Sequence, residues 1–341
     1  MGENQPGIEE WRRLYEATIQ VKRQAPWGWM TEADNFGIRD PDTGGLSFVS
    51  VMGMLGEHFA VALYPGADTF YQFLDLEETD DMMAPEAVLE IPQLQVSFED
   101  RNILHQRDRE IIKSLGFKFR GRNAWPMFRT YKPGFLPWFL DREEARLLAC
   151  ALEQLLEVAP RFREEPSLLQ PPGGESFLVR EPRRDGGDIV WTDVIIRVPP
   201  PEDVAISIVM DLAALEGLKD LPTRRFSMEI DLFMVPTGIR ERGSRPYFPY
   251  MLLLVEATSG LAMGFELLKA NPSLQEMWGQ VPGRVVQKLA DLGTIPQEVR
   301  VSSPLLFQLL QPVTDRLGLR ITQVDDLPAL EAARDELLQV I

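Results

Sequence analysis

The chain has 341 residues, 45% of them hydrophobic and 26% charged, which is enough apolar material for ordinary cores and too much for a disordered polymer. Its 52 acidic side chains outnumber 35 basic ones, a formal charge of -17, so it repels phosphate backbones except where basic residues collect locally. The one cysteine, Cys150, excludes an intramolecular disulfide and fits a reducing cytoplasm, and no apolar run is long enough to span a bilayer.

The first ten residues are polar and acidic and lack the apolar centre of a secretion signal. From Pro6 to Gln24 the spacing predicts an amphipathic helix with Trp11, Leu14, Tyr15, Thr18 and Val21 on one side, ended by Ala25-Pro26. Trp27-Gly-Trp29 is either a stacking surface or, more plainly, packing of that helix onto a sheet. Phe36–Ile38 and Leu46–Met52, joined by Asp40-Pro-Asp-Thr-Gly-Gly45, predict a hairpin. A third strand follows at His58–Tyr64, and a helix at Asp68–Leu76 with Phe70, Phe73 and Leu74 inward. Glu77–Ala84 reads as an exposed acidic loop, Leu94–Phe98 as a strand, Asn102–Leu115 as a helix and Trp125–Tyr131 as a strand.

The clearest helix is Asp141–Val158, with Asp141 and Glu144 as a capping box and Ala145, Leu148, Leu152 and Leu155 buried. Cys150 falls on that apolar stretch as a core filler. Gly53 and Gly56 match no phosphate-loop pattern, and neither His58 nor His105 has a Cys or His at ligand spacing, so no zinc site is expected. Lys118–Arg122 and Arg240–Arg245 are the densest basic patches, each short enough to be a solvated loop.

Pro171-Pro-Gly-Gly174 marks a boundary: an N-terminal α+β domain over 1–160, a linker over 161–175, and a C-terminal α/β domain over 176–341. Phe177–Arg180 and Ile189–Val198 flank Arg184-Asp-Gly-Gly187, a hairpin signal, and Ala205–Leu212 reads as a further strand. Strands are expected at Phe226–Val235, Tyr250–Val255, Leu261–Leu268, Glu298–Ser302 and Leu319–Val324. Helices are expected at Pro282–Leu292, from Ser303-Pro304 to a C-cap at Gly318 with Pro312 kinking its end, and at Leu327–Ile341.

Strand, antiparallel hairpin, helix, strand, helix, strand, helix over Arg224–Asp326 resembles a ribonuclease H-like fold, and in particular a retroviral-type integrase or transposase core. The resemblance implies a mixed sheet. It places that family's first catalytic Asp at Glu229-Ile-Asp231 and its second-strand hairpin at Leu254–Gly264. Pro296–Ser303 is similar to the segment that carries the second catalytic Asp, but Ser302 or Ser303 stands there. Asp335 and Glu336 lie near the third position, on a helix that would carry acids in any case. Two-metal phosphoryl transfer needs several carboxylates around ions about 4 Å apart, and a hydroxyl does not supply a bridging carboxylate's charge. Asp231 and Glu256 therefore remain as metal candidates, two acids on core strands that could hold Mg²⁺ weakly.

The opening half has its own resemblance. Leu14-Tyr-Glu-Ala17, Ala25–Met30, Phe36-Gly37 and Val51–Glu57 are similar to the N-terminal domain of an uncharacterised bacterial family. That domain is often joined to a C-terminal domain of unknown function similar to residues 180–341. Some related chains end in a Cys-rich zinc-binding tail, whose cysteines this chain lacks. Two readings follow. The favoured one is a cytoplasmic, non-catalytic module that binds a protein or a small molecule, with no cofactor, no nucleic acid and no membrane as partner. The alternative is a divergent metal-dependent nuclease-like enzyme using Asp231 and Glu256.

Overall fold

Strands β1 (Phe36–Arg39), β2 (Leu46–Met52), β3 (Ala60–Pro65), β4 (Gln93–Glu99) and β5 (Trp125–Lys132) follow one another as an antiparallel meander. The computed structural model describes residues 4–78, 85–186, 188–201 and 205–339. The chain divides into two units, Met1–Lys132 with Pro137–Glu202, and Pro133–Leu136 with Asp203–Ile341. Both mix helices with a sheet.

In the first unit, β2 and β3 are buried on both faces, as near-continuous apolar runs predict. Helix α1 (Ile8–Gln24) and helix α5 (Arg142–Glu164) cover one face, placing Leu14, Val21, Leu148, Leu152 and Leu155 over Ile38, Val49, Val61, Leu63 and Val96. Helix α2 (Ala67–Glu78) covers part of the other with Phe70 and Phe73 against Phe48, Ala62 and Tyr64. Helices α3 (Pro85–Leu89) and α4 (Gln106–Leu115) flank β4, and β6 (Phe135–Trp138) joins the sheet beside β5. The acidic loop expected over 77–84 begins inside α2; from residue 79 it lies outside the described residues.

Helix α5 starts on the expected capping box: Asp141 Oδ1 accepts from the Glu144 N–H and Glu144 Oε2 from the Asp141 N–H, both at 2.9 Å. It runs past Val158 to Glu164 although Pro160 stands inside it. Proline leaves the carbonyl four residues back without its helical donor. That carbonyl, Leu156, accepts instead from Gln24 Nε2 at 3.1 Å. Phe162 beyond the proline is buried, which rewards continuing the helix.

The boundary expected over 161–175 is displaced. Those residues finish α5 and form a short 3-10 turn at Pro166–Leu169. Strand β7 (Ser176–Asp185) then pairs in parallel with β1, and β8 (Asp188–Arg197) pairs antiparallel with β7, so both complete the first sheet in the order β6-β5-β4-β3-β2-β1-β7-β8. Pro and Gly at 171–174 are a turn into a strand, and the units divide near Glu202. The hairpin expected at Arg184–Gly187 forms, with Gly187 itself outside the described residues.

The second unit orders its strands β11-β10-β9-β12-β13. Strand β9 (Ser227–Met234) pairs antiparallel with β10 (Tyr250–Glu256), which pairs antiparallel with β11 (Ala262–Leu268). On its other side β9 pairs parallel with β12 (Glu298–Val301), which pairs parallel with β13 (Arg320–Gln323). Helix α6 (Leu212–Gly217) precedes β9; α7 (Leu274–Leu292) follows β11, α8 (Pro304–Leu317) links β12 to β13, and α9 (Pro328–Leu338) follows β13. Helix α7 begins eight residues before the expected Pro282, because Ser273 caps it and Met277 and Val281 are buried. Residues 205–211 form no strand. They run along α7 without regular secondary structure, and the Val209 N–H donates to the Gly279 carbonyl at 2.8 Å. A Cβ at Gly279 would stand 2.2 Å from the Ser207 carbonyl oxygen, so only glycine allows this approach. The last helix ends at Leu338, and residues 340 and 341 lie outside the described residues.

Candidate anion-binding cleft

The two metal candidates do not converge. In the β9–β10 register Asp231 stands opposite Leu253 and Glu256 opposite Met228, three ladder positions apart. Side chains alternate along a strand, so an odd separation puts them on opposite faces. Asp231 shares the face of Leu253 and Val255, which packs with Leu327 and Leu330 at the start of α9. Burial pushes its carboxyl up, against the Leu232 N–H, which donates to Oδ1 at 2.9 Å, and against Arg334. Glu256 closes the β10–β11 turn, accepting from the Ser259 N–H at 2.7 Å and the Thr258 N–H at 3.1 Å. Hydrogen bonds from Ser259 and Thr258 hold its carboxyl below the ordinary range. A single ion held by both residues is therefore not assembled here, and among the described residues no group of three or more His, Cys, Asp or Glu could hold a metal.

Other singled-out residues have structural work. Glu229 is 2% exposed and accepts from the Leu330 N–H at 2.8 Å, capping α9 from a neighbouring strand. Ser303 is the N-cap of α8, accepting from the Leu306 N–H at 3.3 Å. His105 caps α4 through Nδ1, and Trp29 Nε1 donates to the Ala159 carbonyl at 3.0 Å. Cys150 is buried, which pushes its thiol up to about 12. In the second basic patch Arg245 donates twice to the Leu136 carbonyl, at 2.9 and 2.7 Å, and so is a structural tie.

The first basic patch behaves differently. Helix α4 is fixed at its start by the His105–Asp108 capping box and at its end by Gly116 in the left-handed region, φ 79°. The chain then runs Phe117-Lys-Phe-Arg120. Its aromatics turn inward, with Phe117 and Phe119 stacked on Tyr15 at centroid distances of 5.7 and 6.3 Å, and its cations are exposed. The turn at Gly121–Asn123 is pinned by Asp100, whose Oδ1 accepts from the Asn123 N–H at 2.8 Å, and by Lys22, which donates to the Asn123 carbonyl.

Between α4 and this segment lies a cleft of about 530 Å³ whose floor includes Ile112, Phe117, Phe119 and Trp125. Arg101, Arg109, Lys113, Lys118 and Arg120 also line it, and Arg122 lines an adjoining cavity. None of these six cations makes a carboxylate ion pair among the described residues. Arg101 instead lies over the Trp125 ring at 5.7 Å. The sequence offered only Lys118–Arg122. Arg101, Arg109 and Lys113 come from a turn and a helix up to about twenty residues away, and only folding joins them.

Residues 11–180 match the model of a domain of unknown function, DUF7309, and residues 214–338 match that of another, DUF6930. The chain joins these two domains. They fit a two-domain family of unknown function, as the resemblance of the opening half implied. No curated protein matches the chain. The basic cleft lies inside the DUF7309 match, and Asp231 and Glu256 inside the DUF6930 match. Among the described residues no helix is long and apolar enough to cross a membrane.

Proposed function

We propose that this DUF7309–DUF6930 protein is a cytoplasmic binding protein that holds an anionic ligand in the cleft between α4 and residues 116–125. The observation that carries the reading is the meeting of five cations over an aromatic floor, with a sixth, Arg122, in the adjoining cavity and none in a carboxylate ion pair among the described residues, in a chain whose formal charge is -17. Like charges at close range repel, so such a cluster costs free energy until an anion enters it. A cleft of this volume sits within the roughly 300–1,000 Å³ that small-molecule sites occupy.

The second unit reads best as a ribonuclease H-like body. Three antiparallel strands continued by two parallel ones, with helices after β11, β12 and β13, support that reading. The nuclease-like alternative has the same support from topology. It lacks a shared face for its acids, since Asp231 and Glu256 point to opposite sides and each spends its carboxylate on backbone N–H groups.

Thermal unfolding of the full chain with and without inorganic phosphate and tripolyphosphate tests the reading. Ligands that bind only the folded state raise the midpoint with concentration. The expected result is a rise in the wild type that Arg109→Ala greatly reduces. Identical shifts in both proteins, or Mg²⁺-dependent nucleic acid cleavage abolished by Asp231→Asn, would overturn it.

A further inference from the structure

Two cavities of different chemistry share one wall in this region. The first has the aromatic floor described above. The second, about 660 Å³, is lined by Asp100, Arg101, Asn102, Arg109, Gly121 and Arg122, with no apolar side chain. Arg101 and Arg109 line both. The first sets an aromatic floor among five cations and the second is polar throughout, so together they make a two-part receptor: the first rewards burial of a flat ring beside negative charge, the second rewards negative charge alone.

Resting on the anionic-ligand reading, the geometry points to a phosphorylated small molecule carrying one planar ring, of mononucleotide size, with its ring in the Trp125 chamber and its phosphate between Arg109 and Arg122. Four observations converge on it. Six cations against two acids, Asp100 and Glu110, leave a local balance of +4, suited to a dianion. Arginine supplies four of the six, and its planar fork matches phosphate oxygens. The Arg101 guanidinium already lies over the Trp125 ring, so this chamber accommodates a planar cation-π partner that a ligand ring could extend. Finally, the charge of -17 disfavours a long nucleic acid, whose phosphates would extend beyond the basic patch, whereas a mononucleotide ends inside it.

Isothermal titration of the full chain at physiological salt decides the matter. The probes are the adenosine, guanosine, cytidine and uridine monophosphates, inorganic phosphate, the unphosphorylated nucleosides, and a single-stranded twelve-nucleotide oligomer. At least one monophosphate should bind tenfold or more tightly than both its nucleoside and inorganic phosphate. Trp125→Leu should weaken that monophosphate while leaving phosphate binding in place, and Arg122→Ala, a change on an exposed loop, should weaken both. Equal affinity for phosphate and every monophosphate would remove the ring from the proposal, and tighter binding of the oligomer would replace it with a strand-binding groove. In either case, loss of binding in Arg109→Ala would still uphold the anion cleft. Silence from every probe would sink both readings.

Discussion

Arg129 and Asp108 clasp each other through two hydrogen bonds, Nη1 to Oδ1 at 2.9 Å and Nη2 to Oδ2 at 2.6 Å, with side chains only 11% and 6% exposed. The pair ties α4 to β5, and Asp108 also closes the α4 cap by accepting from the His105 N–H at 2.9 Å. One clasp therefore positions the helix that forms a wall of the basic cleft. Arg129→Met leaves a buried carboxylate without its cation, so the expected loss is about 3–5 kcal/mol in denaturant unfolding. The double variant Asp108→Leu with Arg129→Met should recover much of it, because no lone charge remains. A double variant as unstable as the single one would show that the α4 cap lost with Asp108 costs as much as the lone charge.

Further along the chain Glu229 plays a comparable part with no ion pair among the described residues. Its carboxylate accepts from the Leu330 N–H, one of the donors that the first turn of α9 leaves open. Glu229→Ala should cost about 1–3 kcal/mol, the penalty for a buried donor left unmade. Amide exchange at Leu330 should quicken, while Glu229→Gln, which keeps an acceptor, should change it less. Unchanged exchange in the alanine variant would contradict the cap.

Most strands were legible in the sequence, because apolar runs such as Leu46–Met52 and Tyr250–Val255 carry their own signal. Helix ends were legible where a cap wrote them, as at Asp141, Ser303 and Gly318. Two features misled. Pro160 and the turn residues at 171–174 look like a boundary, but tertiary partners override them: Gln24 fills the carbonyl that Pro160 leaves, and β7 finds β1. The two metal candidates fall on opposite faces, which the sequence did not show: it places Asp231 and Glu256 on neighbouring strands but not in the register that assigns their faces. The cleft was half visible at Lys118–Arg122. Its remaining cations lie on another turn and a helix, and local pattern cannot join them.

Two carboxyl groups of the first unit set opposite pH dependences. Burial, with a smaller push from Glu32, raises Glu77 from an ordinary 4.5 to about 7. The folded state keeps that proton while the unfolded chain releases it, so this contribution is full below about pH 4.5, falls as pH rises towards 7, and is flat above. At Asp40 burial pushes upward but is outweighed: hydrogen bonds from Arg146, the Asp42 N–H and Thr43 hold it at about 2 against an ordinary 3.8. That contribution is present above pH 3.8 and is lost as pH falls through 2. Urea unfolding against pH should show a decline between 4.5 and 7 that Glu77→Gln flattens, and an acid loss that Asp40→Asn reduces. A Glu77→Gln curve parallel to the wild type would contradict the first assignment.

Gly134, counted with the second unit, has φ 75°, and a Cβ there would lie 2.5 Å from the Ala270 Cβ. Backbone strain and overlap act together, since an L side chain disfavours that conformation and Ala270 is packed. Gly134→Ala should destabilise by about 1–3 kcal/mol from overpacking alone. The double variant with Ala270→Gly should recover the steric part and leave the conformational part. Thermal unfolding of the three proteins separates the two terms, and a neutral Gly134→Ala would show that neither acts.

Asp231 separates a structural acid from a catalytic one. Its carboxyl is pushed up chiefly by burial, so the folded state holds a proton that the unfolded chain releases near 3.8. By linkage its contribution is greatest in acid and declines as pH rises through the folded value. Asparagine keeps an oxygen for the Leu232 N–H and carries no charge, so Asp231→Asn should stabilise the protein at neutral pH. The expected gain is about 1 kcal/mol, the scale of one partly compensated buried polar group. The gain should shrink at pH 4, where the wild-type carboxyl is itself closer to neutral. A metal ligand behaves in the opposite way: its removal leaves stability without Mg²⁺ little changed and abolishes the heat of Mg²⁺ binding. Calorimetric titration of both proteins with Mg²⁺ and Mn²⁺, run beside the unfolding curves, tells the two roles apart. Stabilisation with unaltered metal heats is the result that a carboxylate facing α9, away from Glu256, requires.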